Sequence, residues 1–135
     1  IGNLERLLLA DATFDIVLMN MVLLDIEELS SVVHEIARVI KLGGKVVAST
    51  THPCFENPPN TYSLKDDKGN KIGRAVSNYF TTGLTKDDLN QYEHWHYKVS
   101  DLINCFAINH LFVEKMVEPN GARTLKNNAT DHFTF

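Results

Sequence analysis

The chain has 135 residues, 44% hydrophobic and 22% charged, with a formal net charge of −4. That is long enough for one domain with a real core, and the balance is ordinary for a globular protein. No basic stripe, no apolar run near the ~20 residues of a membrane span and only two cysteines are found, so nucleic-acid binding, a membrane-spanning helix and a disulfide framework are all disfavoured.

In chain order, Asn3–Ala10 is an apolar-rich lead-in. Phe14 to Leu18 is a short run rich in Ile and Val, as a strand buried on both faces should be. Asp25, with Glu28 three residues later, reads as an N-cap and its capping-box partner. Leu29, Val32, Val33, Ile36, Ala37 and Ile40 then fall on one helical face, and Lys41 suits the last turn. Gly43 is placed to close the helix in the left-handed conformation, and Gly44 to release the chain into a strand over Lys45–Thr51. This strand–helix–strand unit predicts a right-handed crossover and two parallel strands.

Residues 56–96 change character. Pro58-Pro59-Asn60 and Gly69-Asn70 are turn signals, and Tyr62, Leu64, Ile72 and Val76 flank the second as a candidate hairpin. Tyr79, Phe80, Tyr92, Trp95 and Tyr97 concentrate aromatics there. The segment is expected to be a cap or lid insertion over residues 55–98, with a plain surface excursion as the other reading. Ser100 is the expected N-cap of a helix burying Leu102, Ile103, Phe106 and Ala107, ended by Asn109-His110. Leu111–Val117 reads as a strand, and Phe133-Thr134-Phe135 as a weak closing one.

Several of these pieces carry a resemblance. Ala10-Asp11-Ala12-Thr13-Phe14-Asp15, Ile16-Val17-Leu18-Met19-Asn20 and Ala37-Arg38-Val39-Ile40-Lys41-Leu42-Gly43-Gly44 resemble the second half of a class I S-adenosylmethionine-dependent methyltransferase. His52-Pro53-Cys54-Phe55, Tyr97 to Asn104 and Val117-Glu118-Pro119 resemble later motifs of a small-molecule subgroup. The resemblance implies an α/β, Rossmann-like methyltransferase fold. It would be partial, a mostly parallel sheet with the cap inserted after the equivalent of the fifth strand. The family's acidic-x-Gly-x-Gly loop is absent from the sequence, so residues 1–135 are expected to be the C-terminal part of one domain, inactive alone. The implied activity is methyl transfer from S-adenosylmethionine to a small-molecule nucleophile by in-line displacement, with S-adenosylhomocysteine as product.

The resemblance also implies site residues. Asp11 and Ala12 are expected at the adenine, and Asn20, Met21 and Val22 at the methionine part of the cofactor. His52, Tyr79 and Trp95 are expected to line the substrate pocket. His52, held extended by Pro53, is also the candidate general base, since an imidazole titrates near neutrality. No metal is expected. The rival readings are a non-catalytic partner-binding module derived from this fold, and a zinc site using His52, Cys54, His94 and His96. A cytoplasmic location with reduced cysteines is expected. Homodimerisation is also expected, because a half-sheet exposes an edge and apolar faces.

Overall fold

The computed structural model describes residues 2–55, 61–86 and 92–118. Its centre is the expected crossover: strand β1 (Phe14–Asn20), helix α1 (Leu29–Val39) and strand β2 (Ile40–Ser49). β1 and β2 pair in parallel, from Ile16 opposite Lys45 to Asn20 opposite Ser49. The strand ends carrying the resemblance therefore finish level, at one carboxyl edge.

The helix is shorter than its sequence signals suggest. Asp25 ends a 3₁₀ turn, Leu23–Asp25, and α1 begins at Leu29 with no side-chain cap. The reason lies in Ile26, which turns extended and buries itself in the core. The helix also stops two residues before Lys41, because Ile40 is already extended and paired with Phe14. Lys41 instead meets the Asp15 carboxylate at 2.9 Å. Gly43 does adopt the left-handed conformation, at φ +80°, but within the start of β2. Gly44 is a close approach: a Cβ there would sit 2.6 Å from Ile40 Cγ1 and 3.0 Å from the Asp15 carbonyl. The Gly-Gly pair thus serves the register shift between Phe14 and Ile16, where β2 swings onto β1.

The core joins the inner face of β1 to α1 and to the last helix, α2 (Val99–Ile108). Met19, Leu23, Ile26, Leu29, Val32, Val33 and Ile36 are buried with Tyr97 and Cys105. Ala37 is half-buried, and Cys105 takes the most buried place on α2, ahead of the expected Leu102 and Phe106. Lys98, not Ser100, is the α2 N-cap, because the Asp101 carboxylate accepts from its N–H. The helix ends as a Schellman motif: Leu111 N–H bonds the Phe106 carbonyl and His110 N–H the Ala107 carbonyl. His110 supplies the left-handed residue at φ +62°.

The segment after β2 forms two antiparallel hairpins. β3 (Thr61–Lys65) pairs with β4 (Lys71–Val76), and β5 (Gly83–Lys86) with β6 (Glu93–His96). The first is the hairpin expected around Gly69-Asn70. Its turn is built by Asp66, whose carboxylate accepts from the N–H groups of Lys68 and Asn70 and from the Asn70 amide. The register places Tyr62 opposite Ala75 and Leu64 opposite Gly73, so these two lie on the face away from Val76. The strands of the second hairpin are four residues each, too short for alternation to mark them in the sequence. β6 leads directly into Tyr97 and α2, and Trp95 packs on the core.

The expected strand over Leu111–Val117 does not form. The segment carries no regular structure and is tied near β2 by the ion pairs Lys45–Glu114 and His52–Glu118, and among the described residues the β1–β2 sheet remains two-stranded. The expected closing strand at Phe133–Phe135 and the Pro58-Pro59-Asn60 turn lie outside the described residues. No described helix is long and apolar enough to cross a membrane.

Candidate functional site

Two ends of the crossover hold the residues singled out above, and they are different ends. At the carboxyl edge, Asn20 and Ser49 face each other as the last pair of the ladder. The Ser49 hydroxyl donates to Asn20 Oδ1 at 2.7 Å. The same hydroxyl oxygen accepts from the Met21 N–H at 3.2 Å, and the Ser49 carbonyl accepts from it at 3.0 Å. Met21 is in the left-handed region at φ +53°, an uncommon place for an unbranched non-glycine residue. Its N–H is committed to Ser49 and its side chain is exposed. Val22 turns inward: its side chain packs on the core and its carbonyl accepts from the Asp25 N–H at 3.0 Å.

One residue past Ser49, Thr50 Oγ1 is buried with no hydrogen-bond partner among the described residues. His52 follows. Its Nδ1 accepts from the Cys54 N–H at 3.1 Å, which is possible only if that nitrogen carries no proton. The neutral ring's proton therefore sits on Nε2, which faces Glu118 Oε1 at 3.5 Å. Phe55 packs against the ring at 5.2 Å. Arg74 of β4 donates to the Phe55 carbonyl at 2.8 Å, anchoring the first hairpin at this edge. His52 can thus donate at Nε2, but its acceptor nitrogen is already engaged. This geometry runs against the general-base expectation.

Asp11 and Ala12 lie at the other end. The N–H groups of Ala12 and Thr13 bond the Arg38 and Val39 carbonyls, where α1 stops, immediately before β1 begins. A seven-residue strand separates them from Asn20, roughly 20 Å at ~3.3 Å per residue. The structure does not bring the expected adenine residues and the expected methionine residues to one edge. Asp11 is instead one of the partners of Arg38. That guanidinium uses all five N–H donors: two bonds to Glu35, one to Asp11 at 2.5 Å, and one each to the Leu7 and Leu9 carbonyls. The Leu7 N–H in turn donates to Glu35 at 2.8 Å. The Arg38 bonds and the Leu7 N–H hold the Glu35 carboxyl down at about 2, and its carboxylate with that of Asp11 raises the guanidinium further above its usual value. The sequence motif contained Arg38, but only the fold shows that it clamps the lead-in loop.

Tyr79 and Trp95 are committed to packing around β6 and α2. Tyr79 is built into the junction between the cap and α2. Its hydroxyl accepts from the Val99 N–H at 3.2 Å, its carbonyl accepts from His96 Nε2 at 2.9 Å, and its ring stands edge-on to His96. Trp95 is half-buried against the core. Among the described residues no three His, Cys, Asp or Glu side chains converge on a point a metal could occupy. His96 spends Nε2 on the Tyr79 carbonyl, and His52 spends Nδ1 on a backbone N–H.

Depressions open on the surface of the described residues. One, of about 490 Å³, lies beside Leu7–Leu9 and Arg38, and one of about 250 Å³ lies between the amino end of α1 and Thr82, Tyr97 and Asp101. The second is on the carboxyl-edge side of the sheet, since α1 starts where β1 ends. The Tyr97 hydroxyl there donates to the Ile26 and Glu27 carbonyls, both at 2.7 Å. Burial, reinforced by the Glu28 charge, pushes the Tyr97 phenol up, so it remains a neutral donor. At Asp101 burial acts upward, but the bonds from Thr82 and Lys98 outweigh it and the carboxyl is held below its ordinary value.

The parallel β1–α1–β2 crossover is the building unit of a Rossmann-like fold. Comparison narrows this. Residues 1–48 match the family model of a methyltransferase domain. The chain superposes on a crystal structure of an S-adenosylmethionine-dependent methyltransferase from Mesorhizobium loti with a TM-score of 0.76 at 23% identity, covering 93% of this chain and 59% of that one. It superposes on a protein from Listeria monocytogenes, provisionally given the same designation, with a TM-score of 0.70 at 20% identity, covering 80% and 52%. No curated protein matches the chain. The fold is therefore that of the class I S-adenosylmethionine-dependent methyltransferases, and the chain spans 59% of the length of the first of these structures.

Proposed function

We propose that the protein transfers a methyl group from S-adenosylmethionine to a small-molecule nucleophile, with the carboxyl edge of β1 and β2 as its reaction site. The observation that carries this reading is the Asn20–Met21–Ser49 arrangement at that edge, in the class I methyltransferase fold. The exposed groups there fit an amino-acid moiety. The Asn20 amide N–H groups suit its carboxylate, and the Met21 carbonyl suits its ammonium. When bound, the cofactor supplies an electrophilic sulfonium methyl. This chain's contribution is positioning, which accounts for much of the rate in an in-line displacement. His52 orients substrate by donating from Nε2, and the two hairpins over residues 55–98 act as a cap, fixed by Arg74 at one end and Tyr79 at the other. In this reading Asp11 and Ala12 hold the lead-in loop through Arg38, while the adenine is met elsewhere. A small acceptor is favoured over nucleic acid by the net charge of −4 and the lack of a basic stripe.

The test is transfer of label from methyl-labelled S-adenosylmethionine by the full-length gene product into a pool of cellular small molecules, with S-adenosylhomocysteine quantified alongside. Labelled small-molecule product with matching S-adenosylhomocysteine supports the proposal. Label in protein or nucleic acid alone would refute the acceptor class. Cofactor binding without turnover on any pool would favour the non-catalytic, partner-binding module.

A further inference from the structure

The most constrained polar group at the carboxyl edge belongs to a residue outside the set the sequence singled out. Ser49 is the last residue of β2 and the register partner of Asn20. Its hydroxyl is used in both directions: it accepts from the Met21 N–H at 3.2 Å and donates to Asn20 Oδ1 at 2.7 Å. The donation to Oδ1 sets which end of the Asn20 amide meets Ser49. Asn20 Oδ1 is engaged, which leaves the Nδ2 end of the amide turned from Ser49 at an exposed strand end. A free amide has two nearly equal orientations about its last torsion, one presenting acceptors and one presenting donors. Donation from the Ser49 hydroxyl to Oδ1 favours the second. We infer that Ser49 is a positioning residue. It acts through Asn20 to turn the strand edge into a fixed pair of donors that recognises a carboxylate, and it selects against a cationic group at the same point.

This rests on the proposed cofactor site but goes beyond it, because it assigns the polarity of the edge to a side chain that need not touch the ligand. The Ser49 carbonyl keeps the Met21 N–H satisfied at 3.0 Å even without the hydroxyl, so loss of the hydroxyl acts chiefly on Asn20. The residue's effect is then separable from any effect on the fold.

The experiment is a double-mutant cycle read by calorimetric titration of S-adenosylhomocysteine into the full-length gene product, with thermal melting as control. Ser49→Ala is expected to weaken binding about five- to tenfold, as loss of one oriented hydrogen bond would, with little change in melting temperature. Ser49→Thr, which keeps the hydroxyl, is expected to restore affinity to within about twofold. In the Asn20→Ala background the same Ser49→Ala change is expected to cost less than about twofold more, because the group it positions is gone. Equal losses from Ser49→Ala with and without Asn20 would overturn the positioning role, as would an unchanged affinity in the single variant. Absence of binding by the unaltered protein would instead overturn the cofactor site itself, and this inference with it.

Discussion

Replacing Tyr97 by Phe removes one hydroxyl and leaves the ring in place. That hydroxyl donates to the Ile26 and Glu27 carbonyls, each at 2.7 Å, and Ile26 is itself buried. One proton shared between two carbonyls counts as a single bond, with a net worth of ~0.5–1.5 kcal/mol. The upper end applies here, because the change takes this donor from the carbonyl of the buried Ile26, so the expected loss is about 1.5 kcal/mol. For a domain of this size that lowers the melting temperature by roughly 5–7 °C. Differential scanning calorimetry on the two proteins reads the shift directly. Tyr79→Phe is the internal comparison: its hydroxyl accepts one half-exposed N–H at 3.2 Å, and the expected loss is smaller, ~0.5 kcal/mol. A shift below about 1 °C for Tyr97→Phe would refute the claim that this hydroxyl pins the turn between the strand edge and α1.

Further outcomes follow from the same geometry. The Glu35 carboxyl is held at about 2, below its ordinary 4.5, so its stabilising share is fully present above pH 4.5 and is lost as pH falls toward 2. Glu35→Gln should flatten that part of a melting-temperature profile; an unaltered acid limb would contradict the clamp. Gly44→Ala should destabilise the chain by about 1–3 kcal/mol in denaturant titration, because its Cβ collides with Ile40 and two backbone carbonyls; a neutral result would mean β2 shifts freely. His52→Gln in the full-length gene product should retain methyl transfer within about tenfold, whereas an obligatory base would lose about 10²–10⁴-fold. The outer face of β1 and β2 exposes Ile16, Leu18 and Val47, and among the described residues the far edge of β1 is unpaired. Light scattering on the isolated chain should therefore show self-association, and a clean monomer at high concentration would argue against it.

How legible this was in the sequence differs from element to element. The crossover was readable because apolar periodicity changes from strand-like to helical at Leu29 and back after Gly43-Gly44. Its boundaries were not, since Asp25 and Lys41 carry good capping chemistry that lost to burial of Ile26 and pairing of Ile40. The Asp66–Asn70 turn was plain in composition, whereas β5 and β6 are four residues each, too short for a period to stand out. At the site, Asn20 and Met21 could be placed from the end of a strand. Asp11 was set at the cofactor by resemblance, and only the position of Ala12 and Thr13 beside the end of α1 shows the length of strand in between. Ser49 had a signal in principle. Two parallel strands of known ends give a register, and the register names the partner of Asn20. What no sequence pattern supplies is the direction of the Ser49 hydroxyl or the tautomer of His52, because both follow from backbone N–H groups aimed by the fold.

Hydrogen–deuterium exchange of the full-length gene product, with and without saturating S-adenosylhomocysteine, tests the placement of the site most directly. Slower exchange in peptides spanning residues 20–28 and 49–55, with residues 7–13 unchanged, is the predicted pattern. Protection confined to residues 7–13, or none in any of these segments, would contradict a reaction site at the carboxyl edge.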